Sequence, residues 1–263
     1  MIEKYSKDTF MINFSIVTPT YNNIEKLKKN IFSVLNQTYK NKEHIIVDNL
    51  SSDGTDVFIN EYINKADYSV IYIREKDSGA YEAMNKGIKA ARGKWIHILN
   101  SDDYYYSNSS LKILLEEDIE DFDVVSNSIF VKNEDDGDSS VWIPIFNEKI
   151  NHYNFPHTGM VIKKSFYEKY GYYNEKYKII SDAIFVLENL PRARYKIMER
   201  PFVVMSNKGI SNKLSWTRFY EGISFILFFY KGSVAGKIKY IFIDSKRDFL
   251  IFLRLLKKKI KKT

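Results

Sequence analysis

The chain has 263 residues, 44% of them hydrophobic and 28% charged, which suits a globular chain with a sizeable core and excludes wholesale disorder. It contains no cysteine, so disulfides, thiolate metal sites and cysteine nucleophiles are excluded, and a reducing cytoplasm is the expected compartment. The formal net charge is +7, but Arg254, Lys257, Lys258, Lys259, Lys261 and Lys262 cluster at the end of the chain. The basic character therefore belongs to a tail, which points away from nucleic acid and towards an anionic membrane surface.

Residues 1–13 mix charges with short apolar pairs and lack the apolar core of a signal peptide, so export is not expected. Residues 14–18 read as a short buried strand ended by Pro19, with Thr20, Tyr21, Asn22 and Asn23 as a polar turn and helix cap. Apolar residues at 24, 27, 31, 34 and 35 follow helical spacing. A second strand over 44–47 runs into the polar loop 48–55, and the next helix carries Phe58, Ile59, Tyr62 and Ile63 on one face. A third strand, 70–73, leads through Asp77, Ser78 and Gly79 to a helix over 80–91, with Met84, Gly87, Ile88 and Ala91 as its buried stripe and Gly93 as its stop.

The fourth strand, 95–99, ends in Asn100, Ser101, Asp102 and Asp103. Four strand-to-helix units in sequence predict a parallel, doubly wound half-domain. Ligands of such sheets bind at the carboxyl ends of the strands, so Tyr21, Asp48, Asn49, Asp77, Asp102 and Asp103 should gather along one edge. Paired carboxylates there suit a hard divalent cation that takes its remaining ligands from water and a phosphate. A surface turn is the alternative reading of the same residues.

Beyond Asp103 the alternation loosens. A short helix over 111–117 and strands over 124–131 and 141–146 predict a mixed or antiparallel extension of the sheet. The acid-rich residues 133–140 read as a solvated hairpin turn, since they lack calcium-loop spacing. Pro156, His157, Thr158 and Gly159 precede a strand over 160–163 and a helix ending near Gly171. Ser181 and Asp182 open a helix closed by Pro191, and capping alone would account for an acid there. Residues 215–230 are the most apolar run but are too short to span a bilayer. Residues 238–262 alternate apolar and basic side chains as an interfacial helix does, with a packed C-terminal helix as the alternative.

Several of these stretches together resemble one family. Ser15, Ile16, Val17, Thr18, Pro19, Thr20, Tyr21 and Asn22, then Val47 and Asp48 with Ser52, Asp53, Gly54 and Thr55, then Met84, Asn85, Lys86 and Gly87 through to Asp103, look like family 2 glycosyltransferases of GT-A fold. His157, Thr158, Gly159, Ser181, Asp182, the 208–211 stretch and Glu221 resemble it more loosely. The resemblance implies an α/β, Rossmann-like, mostly parallel sheet extended by antiparallel strands. It divides the chain into a GT-A domain over 1–210, with a nucleotide-sugar half at 14–103 and an acceptor half at 104–210, and a helical, basic, membrane-associating tail at 211–263.

The implied activity is inverting transfer of a sugar from a nucleotide-sugar donor, usually UDP-linked, to a hydroxyl of a glycan or lipid-linked acceptor in surface polysaccharide or lipopolysaccharide synthesis. The implied place is the cytoplasmic face of the plasma membrane. By the same resemblance Mn²⁺ or Mg²⁺ sits on Asp103, with Asp102 on the metal or the ribose. Tyr21 lies against the base, Asp48 and Asn49 read its polar edge, Asp77 and Asn85 contact ribose, diphosphate or donor sugar, and Pro19 and His157 are further substrate-binding residues. Asp182 matches the general base.

Two positions depart from the family's pattern: Asn100 and Asn49 stand where many members carry acids. Asn100 leaves the metal to Asp102 and Asp103, Asn49 weakens the assignment of uracil over another base, and Asn100 with the apolar Ala183, Ile184 and Phe185 after Asp182 leaves room for a non-catalytic nucleotide-sugar-binding scaffold. A sugar nucleotidylyltransferase would instead open on a Gly-rich phosphate loop, and the first strand here ends in Pro19, Thr20 and Tyr21.

Overall fold

The computed structural model describes residues 2–5, 12–133, 137–147, 152–207 and 216–229. Residues 134–136 of the acid-rich turn, the 208–211 stretch and the basic 238–262 segment lie outside the described residues.

After β1 (Ile2–Tyr5), three strands each feed a helix: β2 (Phe14–Thr20) into α1 (Ile24–Leu35), β3 (Lys42–Asp48) into α2 (Thr55–Lys65), and β4 (Ser69–Arg74) into α3 (Ala80–Ala90). β5 (Trp95–Ile98) then returns to the other side of β2. β4, β3, β2 and β5 lie side by side and parallel, so the winding direction reverses between β2 and β5. At such a reversal the helices diverge and leave a crevice at the carboxyl ends of the strands.

Side chains alternate across this sheet with period two. Phe14, Ile16, Ile46, Val70, Tyr72 and Trp95 pack on one face with Leu27, Ile31 and Val34 of α1 and Ile59 and Tyr62 of α2. Val17, Ile45, Val47, Ile71, Ile73, Ile96 and Ile98 pack on the other with Tyr81, Met84 and Ile88 of α3. Each enclosed aliphatic side chain contributes about 1.5–3 kcal/mol relative to exposure. Gly87 permits the close approach of α3 to β2, because a Cβ there would stand 2.2 Å from Val17 Cγ1.

The second half supplies β6 (Tyr104–Tyr105), α4 (Ser110–Glu116), β7 (Val124–Lys132), β8 (Ser139–Trp142), the β9 (Ile145–Asn147) and β10 (His152–Asn154) pair, β11 (Met160–Lys163), α5 (Lys164–Tyr170), α6 (Ser181–Asn189), β12 (Tyr195–Ser206) and α7 (Trp216–Phe229). β11 is antiparallel to both β5 and β7, and β12 runs parallel to β7 with β6 antiparallel at the far edge. The mixed extension expected from the sequence is present. β12 was not expected: Arg200 and Pro201 interrupt its pattern, and its register against β7 shifts on both sides of Pro201. A proline inside a sheet is accommodated at such an irregularity. β1, antiparallel on β4, is a second unexpected strand.

Candidate functional site

The carboxyl ends of β2, β3 and β4 are stitched together by their loops. Thr20 O accepts the Asn49 N–H at 3.1 Å. The Asn22 N–H donates to Ser51 Oγ at 2.8 Å, the Ser52 N–H to Asn22 Oδ1 at 2.8 Å, and the Ile24 N–H at the start of α1 to Asp53 Oδ2 at 2.9 Å. Asn22 and Leu50 adopt left-handed backbone, with φ of 44° and 54°. Between these ties Tyr21 stands 60% exposed on the rim beside half-buried Pro19.

Asp48 is fully buried beneath that rim. It accepts the Ser51 N–H at 3.0 Å, the Ser51 hydroxyl at 2.5 Å and the Tyr72 hydroxyl at 2.8 Å, with Arg74 Nε 3.4 Å away. Burial first, and then the Asp48 bond, push the Tyr72 hydroxyl pKa up, so it stays a donor. Asn49 Oδ1 accepts the Asp77 N–H at 2.9 Å, and Asp77 Oδ1 accepts the Gly79 N–H at 3.0 Å. Partial burial holds the Asp77 carboxyl above the usual carboxylate range.

At the end of β5 the acid turn is bound to α1. Asn30, buried in α1, directs its amide at the carbonyls of Asn100 (2.9 Å) and Asp103 (3.0 Å), and the Asn23 amide donates to Ser101 Oγ at 3.2 Å. The two acids differ sharply. The Asp102 side chain is 22% exposed, with Lys26 Nζ 4.0 Å from its Oδ2. Asp103 is 2% exposed; its oxygens take the Ser206 N–H and the Asn100 amide, each at 3.4 Å. Burial first, then the Asp102 charge, raise the Asp103 carboxyl pKa, offset in part by the nearby Thr158 hydroxyl. Asp103, expected as the main metal ligand, thus sits enclosed beside Asp102, the more exposed acid of the pair.

No group of three or more His, Asp or Glu side chains able to hold a metal ion occurs among the described residues. The adjacent carboxylate pair of Asp102 and Asp103 suits Mg²⁺ or Mn²⁺ shared with a donor diphosphate, since such ions retain water and phosphate ligands. It does not suit an all-protein cage. Asp102 fits the first arrangement through its exposure and its place beside the β2–β5 reversal.

The later half brings a second acid to α3. The Tyr81 hydroxyl points at Asp182 Oδ1 at 2.5 Å, with Ile179 O at 2.7 Å as a second acceptor. Burial first, then the Asp182 charge, raise the Tyr81 pKa, so it donates to the carboxylate. Tyr81 and Tyr173 rings lie 5.6 Å apart, and the Tyr173 hydroxyl is 3.4 Å from His157 Nε2. Burial depresses the His157 pKa while the Asp182 charge opposes it. The adjoining Thr158 O accepts from His97 Nε2 at 2.9 Å, and His97 Nδ1 accepts from Tyr105 at 2.8 Å. The 157–159 turn thus bridges the Asp103 side to the Asp182 side.

Asn85 does not join them. It is 3% exposed and its amide is fully used within the fold, donating to Tyr173 O and Glu175 Oε1, each at 2.8 Å, and accepting the Tyr173 N–H at 3.0 Å. These bonds fasten the 173–175 loop onto α3. Arg74, Tyr72, Lys26 and Tyr81 were missed from sequence. Tyr72 and Arg74 close β4, and Lys26 and Tyr81 fall in the first turns of α1 and α3, placements that many structural residues share.

A parallel sheet whose order reverses beside an acid turn, extended by antiparallel strands, defines the GT-A class of fold. Residues 15–179, more than half of the chain, match the family model for glycosyl transferase family 2. The chain belongs to that family. It is 30% identical over 129 residues to the minor teichoic acid biosynthesis protein GgaB of Bacillus subtilis, covering 48% of this chain and 14% of GgaB. It thus spans only a small part of that relative. Among solved structures it resembles S. aureus TarS 1–349 in complex with UDP-GlcNAc (TM-score 0.66, 18% identity, 90% of this chain and 72% of that one). It also resembles the Pyrobaculum calidifontis mannosyltransferase PcManGT in complex with GDP-Man and Mn²⁺ (TM-score 0.59, 16% identity, 90% and 70%).

Proposed function

We propose that this chain transfers a sugar from a UDP-linked donor to a hydroxyl of a glycan or lipid-linked acceptor in cell-surface polysaccharide synthesis, with inversion at the anomeric carbon. The observation that carries the reading is the meeting, at one sheet edge, of the Tyr21 rim, the enclosed Asp48 with Arg74, and the half-exposed Asp102. The UDP-GlcNAc complex of TarS and the teichoic acid role in the name of GgaB support a nucleotide-sugar donor and a wall-type product.

Tyr21 stacks on the base, with Pro19 behind it. Asp48, oriented by Tyr72 and Ser51, and Asn49 take the base's polar edge; Asp77 takes the ribose or the donor sugar. Asp102 would hold Mn²⁺ or Mg²⁺ at the donor diphosphate, and Asp103 would support the turn from beneath. The ion would supply charge neutralisation to the departing diphosphate. The Mn²⁺ complex of PcManGT supports the use of a divalent ion.

Asp182 is the general base. Tyr81 fixes Oδ1, which leaves Oδ2 to accept the acceptor's hydroxyl proton. The acceptor oxygen then bonds to the anomeric carbon as the bond to the diphosphate oxygen breaks, and the nucleoside diphosphate departs with that electron pair. His157 lines the acceptor side. Attachment to the inner membrane face is assigned to the basic tail, whose lysines suit anionic headgroups. No helix among the described residues is long and apolar enough to cross a membrane.

The test is nucleoside diphosphate release from UDP-glucose, UDP-galactose, UDP-GlcNAc and GDP-mannose, with detergent-solubilised membranes as acceptor source, with and without EDTA. Metal-dependent release from a UDP-sugar, stimulated by acceptor, is expected. Binding without turnover of any donor would favour the scaffold reading.

A further inference from the structure

α7 packs on α6 and sends one carboxylate into the loop that precedes it. Glu221 Oε1 accepts the Lys178 N–H at 2.7 Å, and Oε2 accepts the N–H groups of Ile179 at 2.9 Å and Ile180 at 3.2 Å. Three successive amides converging on a single carboxylate form an anion-binding concavity of the backbone. Ile180 is the N-cap of α6, and no side chain of α6 or its cap residue performs that capping. Asp182 follows two residues later.

The same loop is held from the opposite side. Lys178 Nζ donates to Ser78 O at 2.8 Å, in the segment that also carries Asp77 and Gly79. Ile179 O is the second acceptor of the Tyr81 hydroxyl whose first acceptor is Asp182. The loop therefore touches the donor side, the tyrosine that orients the acid, and the helix that bears the acid, and Glu221 is what fixes its backbone.

We propose that Glu221 is a positioning residue for transfer: by clamping the amides of residues 178–180 it sets the start of α6 and so the aim of Asp182. This rests on Asp182 being the base. A reacting group moved by about 1 Å costs on the order of a hundredfold in rate, so the signature is a loss in turnover with nucleotide binding spared.

The experiment measures kcat, donor KM and UDP affinity in the full chain for Glu221→Ala, Glu221→Gln and Asp182→Asn, using the UDP-sugar that turns over. Glu221→Ala should lower kcat roughly tenfold to a hundredfold, with donor KM and UDP affinity within about twofold of the parent. Glu221→Gln, which keeps one acceptor oxygen and the side-chain shape, should recover part of that loss, and it decides the matter if the alanine variant does not fold. An inactive Asp182→Asn variant beside Glu221 variants of parental kcat overturns the inference and leaves the base assignment standing. Loss of UDP binding in step with kcat overturns it too, since that marks a general structural role. An Asp182→Asn variant that transfers at the parental rate overturns the base assignment itself.

Discussion

Asp102 and Asp103 are adjacent in sequence and opposite in circumstance. One looks outward past Lys26; the other is enclosed under Ser206, Asn100 and Thr158, where burial raises its pKa. Asp103→Asn replaces a carboxyl whose charged form burial penalises with a neutral group of the same shape, so its melting temperature should match or exceed that of the parent by differential scanning fluorimetry. A fall of several degrees would show that the ionised form supports the fold. Asn85 gives the converse case. Asn85→Ala leaves the buried N–H and C=O of Tyr173 without their partner, and each abandoned buried group costs about 1–3 kcal/mol. Chemical denaturation should register that loss while UDP affinity stays unchanged. Neither distinction was legible in the sequence, because residue type announces chemistry but not which side of a turn is covered by β12 or by the 173–175 loop.

At the scale of elements, the first half of the chain was readable because its strands are short apolar runs whose neighbours fill both faces, and each helix shows its buried stripe. β12 was not, since Pro201 breaks the run and the strand is completed only by its pairing with β7 and β6. The central strands also carry two enclosed histidines. His44 bonds Thr18 and Tyr62, and His97 bonds Tyr105 and Thr158 O. Burial depresses the first to about 3 and the second to about 4, from 6.5. A depressed histidine stabilises the fold in its neutral form. That stability is complete above pH 6.5 and is lost as pH falls towards 4, because the unfolded chain binds the proton first. The slope approaches about 1.4 kcal/mol per pH unit for each histidine. Urea midpoints measured from pH 7.5 to 4.5 should fall accordingly, and His97→Gln, although less stable at pH 7.5, should show a shallower fall. A midpoint independent of pH over that range would contradict the neutral-histidine description.

On the scale of the whole molecule, the reversal of strand order between β2 and β5 decides where everything else must go. Tyr21 and Asp102 leave neighbouring strands at that reversal, and the antiparallel extension brings Ser206 and Thr158 up to the same turn. The basic residues 254–262 lie outside the described residues, and the proposed anchor rests on their charge. Removing residues 254–263 should abolish cosedimentation with anionic phosphatidylglycerol vesicles and leave the melting temperature unchanged. Retained cosedimentation would refute the anchor.

The strand edge beside Asp102 is the proposed place where a nucleoside diphosphate and its metal would be held. Calorimetric titration of UDP into the parent, Asp102→Asn and Asp103→Asn proteins, with Mn²⁺ and again with EDTA, tests this directly. The prediction is that Mn²⁺ tightens UDP binding at least tenfold, about 1.4 kcal/mol, in the parent and in Asp103→Asn but not in Asp102→Asn. Equal tightening in Asp102→Asn, or UDP binding by none of the three, would contradict it.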